Sequence, residues 1–392
     1  MFGKNISFWG KLMAVALGIN LFHVGTNATV PAAFPRNTDF DGRYVLGAAV
    51  SADGGAMDGS ATHSHPNASN HLHSITFATD GGGADATSGT QKLPRQTHTH
   101  AAFNSANAAV VFGAASNDPP YREVIFVKSN GTSDVTNGLC AFYEDATLPT
   151  NWNELDGNGG RPDYRNKFLK GAAAGADAGA TGGTLDAHSH NSDHVHASVN
   201  SSLSVGTVSA GGSATAFANA HYHATSLLSA SANVQNADGT PPYRKMMAIQ
   251  NNTGGADTPD NLIGIWDLLL GDIPTDWAEV EGQREKFLKT ASGSGEIGAT
   301  GGADQHLHTC TAHNHIASEA GPSSLADRDD YPKNVSVASS DHVHSATIGN
   351  ATVTVANNTA KSNYPLYRTA IFIKYTKPAL SFFSRLPLLG AG

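Results

Sequence analysis

The stretch DAHSHNSDHVHAS, Asp186 to Ser198, carries two H-x-H pairs, His188/His190 and His194/His196. The chain has 19 histidines, and all but His23 fall in such pairs. The others are His63/His65, His71/His73, His98/His100, His221/His223, His306/His308, His313/His315 and His342/His344. In an extended strand residues i and i+2 share one face, so each pair sets two imidazoles side by side. Imidazole ligates zinc, copper, iron and nickel. One pair is too few for a structural site. Three pairs meeting around a threefold axis supply six nitrogens, an octahedral set that suits iron(II), nickel or cobalt better than tetrahedral zinc. Such a site is coordinatively full and leaves no position for water or substrate. Its expected chemistry is therefore structural, with metal binding adding directly to folding stability. The alternatives are surface histidines copied by duplication, metal-free histidine layers, and a pH switch, since imidazole titrates near neutrality.

The elements that must position these pairs recur along the chain. The pairs form three sets, each with two close pairs and a third after a gap, at a period of roughly 120 residues. After each third pair comes a strand beginning Tyr-Arg: PPYREVIFVK from Pro119, PPYRKMMAIQ from Pro241 and YPLYRTAIFIK from Tyr364. Before each first pair comes a short aromatic or aliphatic strand, at Arg43 to Leu46, Lys167 to Leu169 and Lys286 to Leu288. The segments LPTNWNELDG from Leu148 and IPTDWAEVEG from Ile273 match each other, and Gly-Ala-Thr-Gly-Gly starts at Gly179 and Gly298. Val124 to Val127 and Ala370 to Ile373 are continuous apolar runs, as buried strands are. Ser202 to Phe217 alternates polar with apolar weakly, and Thr347 to Thr359 does so more clearly. Asn261 to Leu270 is the best helix candidate, ambiguous with a strand.

Composition bounds the function class. Charged residues make up 15% of the chain and the net charge is −9, with no Lys/Arg run to hold a nucleic acid. Gly, Ala, Ser, Thr and Asn dominate, which suits short strands with thin cores that lean on self-association, repeat stacking or metals. Cys140 and Cys310 form no C-x-x-C, against a disulfide framework or a thiolate zinc site. The apolar run Leu12 to Phe22 reads as a buried strand or short helix, with use as a signal as the alternative, and is too short to span a bilayer. No H-E-x-x-H or nucleophile elbow is present, so no enzyme is expected.

The order Ile273-Pro274, Trp277, Gly282, Phe287-Leu288, Gly298 to Gly302 and the following histidines resembles the bacteriophage tail-collar and short-tail-fibre family. The preceding copy carries it through Leu148-Pro149, Trp152, Gly157, Pro162-Asp163-Tyr164 and Phe168-Leu169. The H-x-H pairs also resemble the metal-clamped needle at the tip of T-even long tail fibres, where three chains each give one pair per iron ion. The resemblance spans roughly residues 39 to 375 in three tandem copies. It implies a mostly β, adhesive virion protein of the phage tail, extracellular and trimeric. Its partners would be itself, other tail proteins and a host-surface receptor (glycan or protein), with no nucleic acid and no membrane insertion. Iron(II) is favoured in six-histidine sites, with nickel, cobalt or zinc as alternatives. A bacterial or other extracellular surface or filament protein built from the same repeats is the competing reading.

Triplication departs from the family, whose members usually carry one unit. Either three chains align, or the three units of one chain surround a pseudo-threefold axis. In the second layout His63/His65 meet His188/His190 and His306/His308, and the strand at Tyr367 to Tyr375 closes a ring on the first unit. The expected divisions are an N-terminal docking segment or divergent first head (1–42), H-x-H units at 43–120, 171–242 and 290–375, collar-like heads at 121–170 and 243–289, and an apolar tail at 376–392. Trp152 and Trp277 read as core anchors. The Tyr-Arg pairs at Tyr121, Tyr243 and Tyr367 read as local packing and pairing at strand starts, and Gly182-Gly183 and Gly301-Gly302 as turns. Asp327, Asp329 and Asp330 read as solvated loop charge rather than a calcium site. Ala317 to Ser340, which differs most between copies, is the candidate receptor contact.

Overall fold

The computed structural model describes residues 15–65, 71–77, 87–88, 91–92, 103–105, 108, 113–131, 134–184, 188, 190, 193–194, 196, 199–200, 207–208, 216–217, 224–227, 230–231, 237–254, 258–308, 313, 315, 317–319, 346–348 and 361–378. Among these the protein is mostly β, and its only helical pieces are three-residue 3-10 turns. No helix is long and apolar enough to cross a membrane.

One 14-stranded sheet dominates. Its strands are β1 (Asn20–His23), β2 (Tyr44–Gly47), β3 (Met57–Asp58), β4 (Tyr121–Lys128), β5 (Leu139–Tyr143), β6 (Trp152–Glu154), β7 (Phe168–Gly171), β8 (Thr181–Gly182), β9 (Tyr243–Asn251), β10 (Leu262–Trp266), β11 (Trp277–Glu279), β12 (Phe287–Thr290), β13 (Thr300–Gly301) and β14 (Tyr367–Tyr375). The three long Tyr-Arg strands β4, β9 and β14 organise it. Their β-branched and aromatic runs favour an extended backbone, and their apolar centres are buried. Each pairs antiparallel with a wholly buried short strand: β1 with β4, β5 with β9, β10 with β14. The short strands also pair with one another, β1 with β5, β5 with β10 and β10 with β1, so that this ladder closes on itself.

The other end of each long strand pairs in parallel with an aromatic or aliphatic strand. Tyr121 lies opposite Phe168, Tyr243 opposite Phe287, and Tyr367 opposite Tyr44. The last pairing joins β14, near the C-terminal end, to β2, near the N-terminal end, closing the ring onto the first unit. β2, β7 and β12 again pair with one another. Ranges 121–170 and 243–289 therefore contribute strands to the same sheet as residues 20–47 and 367–375.

Two apolar clusters flank this sheet. One contains Ile19, Leu21, Ile125, Ala141, Trp152, Ile249, Trp266 and Trp277, the other Phe22, Phe126, Phe142, Tyr164, Met246, Ile265 and Phe372. Trp152 and Trp277 are 4% and 9% exposed, in keeping with their reading as core anchors. Gly264 on β10 sits where these strands crowd, and a Cβ there would lie 2.5 Å from Ile19 Cγ2. The helix candidate Asn261 to Leu270 is instead mainly β10: its apolar residues are buried on both faces, which a central strand requires and an amphipathic helix does not. The Arg residues that follow the tyrosines pack locally. Arg122 lies over the Tyr164 ring, Arg244 pairs with Glu144, and Arg368 pairs with Asp267 and Asp39. Asp267 is buried and receives Asn20, Asn37 and Lys128 as well. The sequence run Leu12 to Phe22 ends in the buried strand β1, while residues before Val15 lie outside the described set. Cys140 is a buried free thiol, and Cys310 lies outside the described residues.

Candidate metal centre

Among the described residues, H-x-H pairs sit on short extended segments outside the 14-stranded sheet. Thr62–His63 pairs antiparallel with Ala115–Ser116, and Gln305–His306 with Lys361–Ser362. His188 bridges to Ala237, His71 to Ala108, and Asp193–His194 pairs with Ala230–Ser231. In each case the first histidine of a pair is pinned by backbone hydrogen bonding within its own unit. The alternation of a strand then operates as expected: Leu72 and Leu307, the middle residues of two pairs, are 42% and 49% exposed, while their flanking histidines are buried.

Two clusters result. The first gathers His63, His65, His188, His190, His306 and His308, with neighbouring ring centroids 4.6–5.4 Å apart. The second gathers His71, His73, His194, His196, His313 and His315 at 4.7–5.4 Å. In both, every ring stands edge-on to all but one of the others. All twelve residues are 9% exposed or less. Their Nε2 atoms converge: His63 to His188 at 3.1 Å, His65 to His306 and His188 to His308 at 3.3 Å. In the second cluster His194 Nε2 lies 3.2 Å from His71, 3.1 Å from His313 and 3.2 Å from His315. Within each of three groups drawn from these residues, the ligand atoms lie within 4.8 Å of one another, the spacing of a metal-ligand set.

The outward nitrogens fix the direction of the inward ones. His63 Nδ1 lies 2.6 Å from Asn117 Oδ1, and His306 Nδ1 bonds Asn363 Oδ1. Both amides are oriented by their other ends, since Asn117 Nδ2 donates to the Tyr364 carbonyl and Asn363 Nδ2 to the Ala303 carbonyl. His190 Nδ1 lies 2.6 Å from the Gly113 carbonyl. An acceptor at Nδ1 makes that nitrogen the donor and leaves the Nε2 lone pair pointing into the cluster. Outer partners of this kind are what orient metal-bound imidazoles. Burial also favours the neutral form of several of these rings. Burial pushes His63 down to about 4 despite the Asn117 bond, and burial with the neighbouring imidazoles pushes His65 and His71 to about 3 and His313 to about 4. Neutral nitrogens with lone pairs aimed at one another near 3.2 Å repel unless a cation lies between them. The donor set thus fits a buried, histidine-ligated metal.

The sequence pattern singled out the histidines that converge in these clusters but not Asn117, Asn363 or the Gly113 carbonyl. A signal for the first two exists: each asparagine stands four residues before the tyrosine of a Tyr-Arg strand, Tyr121 and Tyr367. The middle unit lacks it, reading Asp238-Gly239-Thr240 before its prolines. His98, His100, His221, His223, His342 and His344 lie outside the described residues, as do Asp327, Asp329 and Asp330 and all of Ala317 to Ser340 beyond Glu319. His23, the unpaired histidine, joins neither cluster; it is buried on β1, with Nε2 2.9 Å from Thr29 Oγ1.

The fold and site together define a mostly β protein with buried histidine clusters at metal-ligand spacing. Compared with known proteins, the chain matches no family model, no curated protein and no solved structure.

Proposed function

We propose that this chain is a structural and adhesive component of a phage tail, a fibre, collar or tip piece clamped by histidine-bound metal and bearing on a host surface. The observation that carries the reading is that each cluster draws one H-x-H pair from each of three segments of a single chain. The needles it resembles assemble the same six imidazoles from three chains. Here one chain supplies all three, so its units surround a pseudo-threefold axis, in keeping with the recurring pairings of β4, β9 and β14.

The six histidines of each cluster would hold the metal through Nε2 atoms placed as an octahedral set. Six nitrogens at about 2.1 Å from one ion form an octahedron with edges of about 3.0 Å, close to the 3.1–3.3 Å separations among these Nε2 atoms. An octahedral vertex neighbours every other vertex but one, which is the adjacency of the rings in both clusters. Iron(II) is favoured, with nickel and cobalt next. When bound, the metal would supply cross-linking only, its charge shared among neutral imidazole lone pairs, since six protein nitrogens leave no open position. His98/His100, His221/His223 and His342/His344 would make a third set by the same rule.

Elemental analysis joined to native mass spectrometry tests this. The expected result is two to three metal ions per chain, retained by the isolated single chain. A metal-free chain, or anomalous-scattering maps with nothing between the rings, overturns the metal reading. Electron microscopy of the native source particle then separates a virion tail from a cell-surface filament.

A further inference from the structure

Three strand crossings in the sheet share one register but not one chemistry. β2, β7 and β12 pair across one another as Lys170↔Tyr44, Lys289↔Phe168 and Leu46↔Phe287. At the first, the Lys170 ammonium lies 4.6 Å from the Tyr121 ring centre and 5.5 Å from that of Tyr44, and 2.8 Å from Asp118 Oδ2. At the second, the Lys289 ammonium lies 4.5 Å from the Tyr243 ring centre and 5.2 Å from that of Phe168. The protein thus places its own ammonium group over a tyrosine face, a favourable arrangement because the face of the ring is negative. The third crossing has Leu46 in the lysine position and, with Asn363 matched to Asn117, Tyr364 where the first has Asp118. Its aromatic group is also larger, with Phe287, Tyr364 and Tyr367 mutually edge-on at 5.3–5.9 Å.

A second difference falls at the same crossing. β8 and β13 set Gly182 and Gly301 opposite Tyr121 and Tyr243. A Cβ at either glycine would lie 2.8 or 2.6 Å from the tyrosine hydroxyl, so each ring lies directly over its glycine. β3 instead sets Asp58 opposite Tyr367, and Asp58 is exposed. A groove of about 470 Å³ opens there, with Asp58, Ser60, Thr62, Ser362, Tyr364 and Tyr367 on its walls. The Tyr364 hydroxyl donates to Asp304 Oδ1 at 2.9 Å, adding a second acid to that side. The groove-lining residues include no lysine or arginine.

We propose that this groove binds a protonated amine, held against the Tyr364 and Tyr367 rings with its charge on Asp58, at the one crossing of the three that carries no lysine of its own. The ligand class is an alkylammonium group. His63 and Asn117 of the first histidine cluster also line the groove, but the amine contacts proposed here use no histidine nitrogen. A lysine side chain and an amino sugar both present this chemistry.

The test uses the full chain as isolated, titrated with n-butylammonium, n-butanol, glucosamine and glucose and followed by calorimetry. The expected result is saturable binding of n-butylammonium and none of n-butanol. Asp58→Asn, at an exposed position that leaves the core untouched, weakens it about fivefold or more. Glucosamine binding above that of glucose supports the same amine recognition and points to a carbohydrate source. Equal binding of n-butanol and n-butylammonium, or an unchanged affinity in Asp58→Asn, overturns the proposal, while equal binding of the two sugars with n-butylammonium still bound assigns the amine to a lysine side chain.

Discussion

The sheet and the histidine region hold themselves together by opposite means. In the sheet the buried side chains are large and apolar: Phe22, Phe126, Phe142, Ile265, Trp266 and Phe372 pack between strands that close on themselves. In the histidine region the buried side chains are chiefly imidazoles, with Ile75, Leu227 and Ile348 the buried apolar residues among those described. Hydrophobic burial needs no partner and is indifferent to pH. Converging neutral imidazoles need a cation, and they lose it when they are protonated. On the proposed metal reading, one chain contains a part that folds by burying apolar surface and a part whose stability is supplied from solution.

Metal removal should separate the two regions most. Structural metal sites built from folded ligands are worth on the order of 10 kcal/mol. A chelator should therefore expose the segments around His63 to His73, His188 to His196 and His306 to His315 to proteolysis and hydrogen exchange. β4, β9 and β14 should stay protected. Loss of protection in both regions at once would mean that the sheet also depends on the metal.

The converse change should strike only the sheet. Phe142 is 1% exposed and its ring centre lies 4.8 Å from that of Phe22. Phe142→Ala should cost about 3–5 kcal/mol by denaturant unfolding, while the metal content per folded chain stays that of the parent.

Acid should resolve the two regions by pH. A histidine held below its ordinary 6.5 binds protons more readily when unfolded, so its region is fully stable above 6.5 and loses stability as pH falls toward about 4 for His63 and His313, and about 3 for His65 and His71. Asp267 in the sheet behaves differently. Burial alone would raise it, but Lys128, Asn20 and Asn37 together hold it below the usual 3.8. Its contribution is present above 3.8 and is lost only as pH falls further. Circular dichroism with site-resolved exchange should find the histidine region loosening between pH 6.5 and 4 while the sheet remains intact. A single acid transition for both would contradict this.

The smallest expected effect concerns the outer partners. Asn117→Ala leaves His63 Nδ1 without its asparagine acceptor and should weaken metal affinity about 10- to 100-fold, with the sheet's melting unchanged. Competition with a chelator measures it. An affinity equal to the parent's would mean that Asn117 does not orient the ring.

The histidines were legible because their chemistry and their spacing coincide: a period of two on a strand carries its own geometry, and Leu72 and Leu307 face outward as that period requires. The Tyr-Arg strands were legible from their apolar runs. The short strand β10 was ambiguous because five consecutive apolar residues have no period to distinguish strand from helix. Asn117 and Asn363 went unread because an asparagine before a turn has many uses, and only its distance to His63 or His306 selects one.

Residue types and their repetition along the chain therefore settled which side chains could hold a metal and that they would lie on strands. The tertiary structure alone decided that β14 pairs with β2, that His63 meets His188 and His65 meets His306, and that the crossing at Leu46 differs from its two sisters. The physical reason is one of range. The period of a strand is a local property of the backbone, whereas the meeting of imidazoles more than a hundred residues apart depends on how the whole sheet closes.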